Sequence, residues 1–302
     1  MRSVTLELPG PVHVAEWGEG PVAFVLVHGL GGSHLNWMEV APRLALRGRV
    51  LAPDLPGFGL TPRAGRAATL GSERRLLHRV LRRTVTGAVV LVGNSMGGLL
   101  ALAEAAAHPE LVCGLVLVDP ALPGHWGGRT ARGVTAAFAT YSIPMLGRRV
   151  VQRHLDRHRP AEVVDGAFAF CAAHPERISG SARDAHVALE RERHTESAEN
   201  ARAFVEAARS IAAVHLAAGG LRPLLSRVSS PTLVLHGAQD RLVSAGVARH
   251  LAALRPDWQV EILEEAGHIP MLEAPGRVLS VILSWLDDRS LAITSPASAR
   301  AS

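Results

Sequence analysis

The segment from Val89 to Ala103, reading Val-Val-Leu-Val-Gly-Asn-Ser-Met-Gly-Gly-Leu-Leu-Ala-Leu-Ala, constrains the fold of this chain more than any other. Four aliphatic residues in a row read as a strand buried on both faces. A Gly-x-Ser-x-Gly turn follows, and small residues then open a helix. Such a strand-to-helix turn is sharp, and it pushes the side chain of Ser95 out of the turn on strained backbone. Gly93 and Gly97 supply the room that helix and strand need to approach one another. The helix starts just behind Ser95, so its free N–H groups face any negative charge that develops there.

The surrounding chain repeats strand and helix. Val4–Leu8 and Val12–Trp17 alternate apolar and polar residues about Pro9-Gly10, the pattern of an antiparallel edge hairpin. Val22–Val27 is continuously apolar and ends in the loop His28-Gly29-Leu30-Gly31-Gly32. A dinucleotide-binding loop would need another glycine at position 34, which is histidine. A helix is expected over 36–47 and a strand over 49–53. A turn-rich loop, Asp54-Leu-Pro-Gly-Phe-Gly59, follows, in which Asp54 is expected to stabilise the turn. Thr69–Val85 carries leucines 76, 77 and 81 with Val80 at helical spacing. Leu115–Val118 is the next buried strand and ends in Asp119. This rhythm predicts a mostly parallel sheet covered by helices on both faces.

Composition narrows the partners. All 32 basic side chains are arginine and the net charge is +5, so the basicity is spread over the surface. The short pairs Arg74-Arg75, Arg82-Arg83 and Arg148-Arg149 read as solvated helix faces, and no nucleic-acid partner is expected. The two cysteines, Cys113 and Cys171, demand no disulfide, and Cys113 reads as a buried apolar residue. With no signal-like start and no apolar run near the ~18 residues of a membrane span, a cytoplasmic protein without stable membrane insertion is expected.

From Ala121 to about Arg227 the strand rhythm stops. Helical patterns separated by Pro or Gly take its place, clearest over 161–173 and 198–216. Half of the chain's Phe, Tyr and Trp residues fall here: Trp126, Phe138, Tyr141, Phe168, Phe170 and Phe204. They serve either a small core of this section or an apolar cavity, for which Trp126, Phe138, Tyr141 and Phe168 are the candidates. His154 and His158 are four apart on a helix pattern, but no third ligand accompanies them and no metal site is expected. Strands return at 232–236 and 259–263, and a last helix is expected from about Pro275 to Leu286.

The loops after these two strands read Gly237-Ala-Gln-Asp240-Arg-Leu-Val and Glu264-Glu-Ala-Gly267-His268-Ile269-Pro-Met-Leu-Glu273. Ser95, Asp240 and His268 each follow a predicted strand, so a parallel sheet would bring them to one edge. The residue types fit nucleophilic catalysis. A serine hydroxyl attacks once an imidazole takes its proton, and a carboxylate must orient that imidazole. Asp119 is the rival for the acid, since it too follows a strand.

With these motifs in this order, the chain from Val22 to Leu286 resembles the α/β-hydrolase family. The resemblance implies that residues 1–120 and 228–286 form the core, that 121–227 form a helical lid, and that 287–302 trail as a flexible tail. It places Asp240 ahead of Asp119 and implies an oxyanion hole built from the backbone N–H groups of Leu30 and Met96. His28 is expected to pack beneath that loop. Gly29, Gly31, Asn94 and Ile269 are the core-side pocket candidates. No cofactor is implied. Serine at position 95 argues against the relatives with an aspartate nucleophile. The reading that follows is hydrolysis of a small to medium hydrophobic ester through an acyl-enzyme. The alternative is carbon–carbon hydrolysis of aromatic ring-cleavage products, whose enzymes share the Gly-Asn-Ser-Met-Gly-Gly turn but carry tryptophan where this chain has Ile269. For that chemistry Arg183 and Arg191 are candidate carboxylate partners. A ligand receptor on the same fold is the reading from another class.

Overall fold

The computed structural model describes residues 1–123, 140, 143–216 and 221–289. Eight strands form one sheet in the order β1-β2-β4-β3-β5-β6-β7-β8. The hairpin β1 (Arg2–Leu8) and β2 (Gly10–Trp17) is antiparallel, and β2 joins β4 (Arg49–Pro53) antiparallel as well. From β4 onward every pairing is parallel, through β3 (Val22–Val27), β5 (Val89–Asn94), β6 (Val112–Val118), β7 (Thr232–Gly237) and β8 (Gln259–Leu263). β3 and β5 are neighbours, yet the chain leaves β3 toward one side of the sheet and β5 toward the other. Loops after such a pair diverge and leave a crevice, the place where ligands meet open parallel sheets.

The central strands are as apolar as the sequence predicts, because helices cover both faces. All six residues of β5 are buried, as are all six of β3. Two clusters lie on the two sides of the sheet. Leu76, Leu77, Val80 and Leu81 of α2 (Leu70–Thr84) pack in one, with α3 (Met96–Ala107). Trp37, Leu44, Ile282 and Trp285 lie in the other. Each such Leu or Ile removed from water contributes about 2 kcal/mol.

Three local expectations shift. The helix expected over 36–47 is a 3-10 turn, His34–Trp37, followed by the short α1 (Ala41–Leu44). The Ser33 hydroxyl accepts the Leu35 N–H while Asn36 Oδ1 accepts the Ser33 N–H, a capping box that starts the turn at His34. The last helix, numbered α11 below, extends to Asp288, two residues beyond the expected end. Cys113 is half-buried rather than buried.

Between β6 and β7 the described residues form α4 (Pro144–Arg157), α5 (Pro160–Cys171), α6 (Gly180–Arg193), α7 (Ser197–Leu216) and α8 (Arg222–Leu225). Both helices expected there are present within a residue or two. It attaches to the core at defined points. A Cβ on Gly57 would lie 2.3 Å from Ala203 Cβ, so α7 rests directly on the loop after β4. Arg63 Nη2 donates to Glu206 Oε1 at 2.9 Å across the same junction. The chain closes with α9 (Gly246–Leu254), α10 (Pro270–Glu273) and α11 (Pro275–Asp288).

Candidate active site

Ser95 sits between β5 and α3 with φ +54° and ψ −116°. A non-glycine residue in that region costs about 1–3 kcal/mol and persists only where its surroundings enforce it. Here they do. The Ser95 N–H donates to the Val118 carbonyl at 2.9 Å, and its own carbonyl accepts the N–H groups of Leu99 and Ala121 at 3.1 and 3.0 Å. The flanking glycines are sterically required. A Cβ on Gly93 would stand 2.2 Å from the Gly97 carbonyl oxygen, and one on Gly97 2.2 Å from that of Val27.

The loop after β3 lies against this turn. A Cβ on Gly29 would approach Ser95 Cβ to 3.1 Å and Asn94 Oδ1 to 3.0 Å. Beneath the loop, His28 is fully buried; its Nδ1–H donates to the Gly29 carbonyl at 2.8 Å and its Nε2 accepts the Leu55 N–H at 3.0 Å. The ring thus ties this loop to the one after β4, and burial lowers its basicity. Gly31 (φ +74°) faces Phe204 of α7, where a Cβ would meet the ring at 3.3 Å. Leu30 is partly exposed at the loop's turn, while Met96 is buried at the first position of α3.

Asp240 and His268 meet at the ends of β7 and β8. His268 Nδ1–H donates to Asp240 Oδ2 at 2.6 Å. The other carboxylate oxygen, Oδ1, accepts the N–H groups of Leu242 and Val243 at 2.7 and 3.0 Å. Burial alone would raise the Asp240 carboxyl; the His268 imidazole beside it overrides that and holds it below its ordinary range. Asn94 Nδ2 donates to the His268 carbonyl at 3.1 Å and to that of Val118 at 3.2 Å, fastening the histidine loop to the residue preceding Ser95.

Asp119 lies within the same buried group, with ligand-type oxygens of both aspartates and a ring nitrogen of His268 all within 4.8 Å of one another. Its Oδ1 accepts the Gly237 N–H at 2.8 Å, and its Oδ2 has no partner among the described residues. Burial, followed by the Asp240 charge, pushes this carboxyl well above its ordinary range. The two neighbouring carboxyls are thus pushed in opposite directions, Asp119 up and Asp240 down. The imidazole hydrogen bond goes to Asp240.

The other candidates scatter. Ile269 is buried at the start of α10. Phe168 is buried in α5, edge-on to His186 with ring centroids 5.1 Å apart. Trp126, Phe138 and Tyr141 lie outside the described residues. The His154 and His158 rings lie 4.3 Å apart, and His158 Nδ1–H donates to the His154 carbonyl at 2.8 Å. Arg183 is half-buried and paired with Asp165 at 2.6 Å, and Arg191 is exposed.

A different arginine turns inward. Arg193, at the end of α6, donates through Nη2 to the Gly57 carbonyl at 2.7 Å and to Asn200 Oδ1 at 3.0 Å. Sequence pattern misses it because Arg191, Arg193 and other arginines recur along the helical section. Among the described residues no helix is long and apolar enough to cross a membrane.

Comparison with known proteins agrees with this architecture. A family model described as alpha/beta hydrolase fold matches residues 22–275. The chain is 30% identical over 285 residues to 2-hydroxy-6-oxo-6-(2'-aminophenyl)hexa-2,4-dienoic acid hydrolase of Metapseudomonas resinovorans, covering 91% of this chain and 87% of that one. It is 29% identical over 264 residues to the pimeloyl-[acyl-carrier protein] methyl ester esterase of Aromatoleum aromaticum, covering 83% and 92%. A solved thermophilic esterase from Thermogutta terrifontis superposes with a TM-score of 0.68 at 26% identity, covering 95% and 99%.

Proposed function

Since this chain belongs to the alpha/beta hydrolase fold family, we infer that it is a serine hydrolase that cleaves a small to medium hydrophobic carboxylic ester through an acyl-enzyme. The observation that carries this reading is Ser95 at φ +54°, held where the loops bearing Gly29 and His268 converge on it. Ser95 Oγ attacks the acyl carbon while the His268 imidazole takes its proton. The tetrahedral oxyanion is received by the N–H groups of Leu30 and Met96, the latter at the positive end of α3. The imidazolium then protonates the departing alkoxide, and the same base activates the water that frees the acid. Asp240 stays ionised, fixing the Nδ1–H tautomer and stabilising the imidazolium. The chemistry asks for no metal or organic cofactor. The esterase relatives support the ester class.

Carbon–carbon hydrolysis of ring-cleavage products is the second reading, favoured by the relative from Metapseudomonas resinovorans and by Arg193. That reaction needs a cation for the substrate's dienoate carboxylate, and Arg193, at the end of α6, reaches the Gly57 carbonyl of the core. Ile269, in place of tryptophan after the histidine, ranks this reading second. A panel of p-nitrophenyl esters run beside a ring-cleavage dienoate decides between them. Ester turnover is expected; rapid loss of the dienoate chromophore with feeble ester turnover reverses the order.

A further inference from the structure

Glu273 does chemistry-free work at the edge of this site. It is 3% exposed, and no arginine or histidine pairs with it among the described residues. Its partners are backbone amides from two distant segments. Oε2 accepts the N–H groups of Ala173 and His174 at 2.9 and 3.0 Å, just past the end of α5. Oε1 accepts the N–H of Gly267, the residue before His268. A carboxylate that accepts amide hydrogen bonds makes them roughly twice as strong as neutral ones.

The two segments also touch directly. The His268 N–H donates to the Cys171 carbonyl at 2.7 Å. A Cβ on Gly267 would stand 2.6 Å from both the Ala173 nitrogen and the Cys171 oxygen. Every main-chain polar group of His268 is therefore committed: its N–H to the helical section, its carbonyl to Asn94. The imidazole has little freedom that is not set by where residues 171–174 sit.

We propose that Glu273 is a positioning residue that locks the turn at 171–174 to the His268 loop, so that the helical section and the imidazole–Asp240 pair are held as one unit. This rests on the assignment of His268 as the general base. A hydrogen bond of 2.6 Å tolerates little displacement, and misplacement of a catalytic group by ~1 Å can cost ~100-fold in rate. Any opening of the helical section must then pivot about 171–174 rather than detach there.

Glu273→Gln tests the proposal. The amide offers a single acceptor oxygen, so at least one of the three N–H groups faces another donor. At a temperature where circular dichroism shows a folded protein, kcat is expected to fall ~10- to ~100-fold with KM little changed. The downfield proton resonance of the His268 Nδ1–H, identified by its loss in His268→Ala, is expected to shift or broaden. A folded Glu273→Gln enzyme with a lower Tm but wild-type kcat and an unmoved resonance would overturn the proposal. Should that variant not fold, Glu273→Asp is read on the same two quantities. Ser95→Ala and His268→Ala run alongside separate the failures. If they keep turnover, the reading of the site is wrong; if they lose it while the Glu273 variant does not, only the lock is wrong.

Discussion

Two regions of this protein each gather a serine, a histidine and an aspartate, and in both a histidine Nδ1–H donates to the aspartate. In one, His268 Nδ1–H meets Asp240 at 2.6 Å, and the His268 carbonyl is held by Asn94, the residue before Ser95. In the other, Ser3 Oγ–H meets His13 Nε2 at 2.7 Å, and His13 Nδ1–H meets Asp54 Oδ2 at 2.8 Å. Judged by side-chain hydrogen bonds alone, the second is the more complete of the two. The differences lie in the backbone. Ser3 stands in the regular strand β1, opposite Ala15, with no turn beneath it and no helix starting behind it. Ser95 stands on a strained turn at the first amides of α3. The aspartates differ too. Asp54 also accepts the His34 side chain at 2.9 Å and the N–H groups of His34 and Leu60 at 2.6 and 2.8 Å, so its charge is spent on joining β2, β4 and two loops. The two serines thus differ in backbone setting, and the proposed nucleophile is the one with helix-start amides behind it to receive an oxyanion.

The largest expected contrast is between the serines. Ser95→Ala should lose turnover by ~1,000-fold or more, whereas Ser3→Ala should leave it intact, as steady-state ester hydrolysis will show. A crippling Ser3→Ala would erase the distinction drawn here. The aspartates come next. Asp240→Asn should keep the fold and cut kcat by ~100- to ~10,000-fold, because the imidazole loses its orienting carboxylate. Asp54→Asn should show the opposite pattern: a loss of about 3 kcal/mol in denaturant unfolding, with a far smaller effect on turnover of the folded protein. If Asp119→Asn were the crippling change and Asp240→Asn nearly silent, the acid would have to be reassigned.

Acid stability sharpens the same contrast. Burial alone would raise the Asp54 carboxyl, but hydrogen bonds from His13 and His34 override it and leave it below its ordinary range. A depressed carboxyl stabilises fully above the ordinary value and loses that contribution as pH falls below about 4. The Tm of the wild type should therefore drop more steeply on acidification than that of Asp54→Asn; parallel curves would contradict the assignment. Glu73 supplies the opposite limit, a buried carboxyl with no hydrogen-bond partner for either oxygen among the described residues. Burial raises it well above its ordinary range, so its favourable contribution belongs to acidic pH and is lost as pH rises. Glu73→Met, on the amphipathic α2, should stabilise by roughly 1 kcal/mol near pH 8, and a lowered Tm there would count against it.

These contrasts also mark what the sequence could carry. Continuous apolar runs announced β3, β5, β6 and β7, because strands covered on both faces must be apolar throughout. The turn at Ser95 was legible because Gly93 and Gly97 are demanded by contacts of 2.2 Å. Asp54 was read as a turn former, and its bond to the Leu60 N–H agrees with that. Its partnership with His13 was hidden, since it depends on β2 lying beside β4, a sheet neighbour that no periodicity reveals. Glu273 is hidden likewise: two of its donors, Ala173 and His174, lie 100 and 99 residues away in the chain. Asp119 is visible as a strand-end acid, but only the packed structure shows that the His268 hydrogen bond goes to Asp240 instead.

The central claim, that backbone setting rather than side-chain identity selects the nucleophile, is tested most directly by active-site labelling. The protein is treated with a fluorophosphonate, its intact mass is read, and the modified peptide is mapped. One adduct per chain, on the peptide carrying Ser95 and absent from Ser95→Ala, is the expected result. An adduct on Ser3, or undiminished labelling of Ser95→Ala, would contradict it.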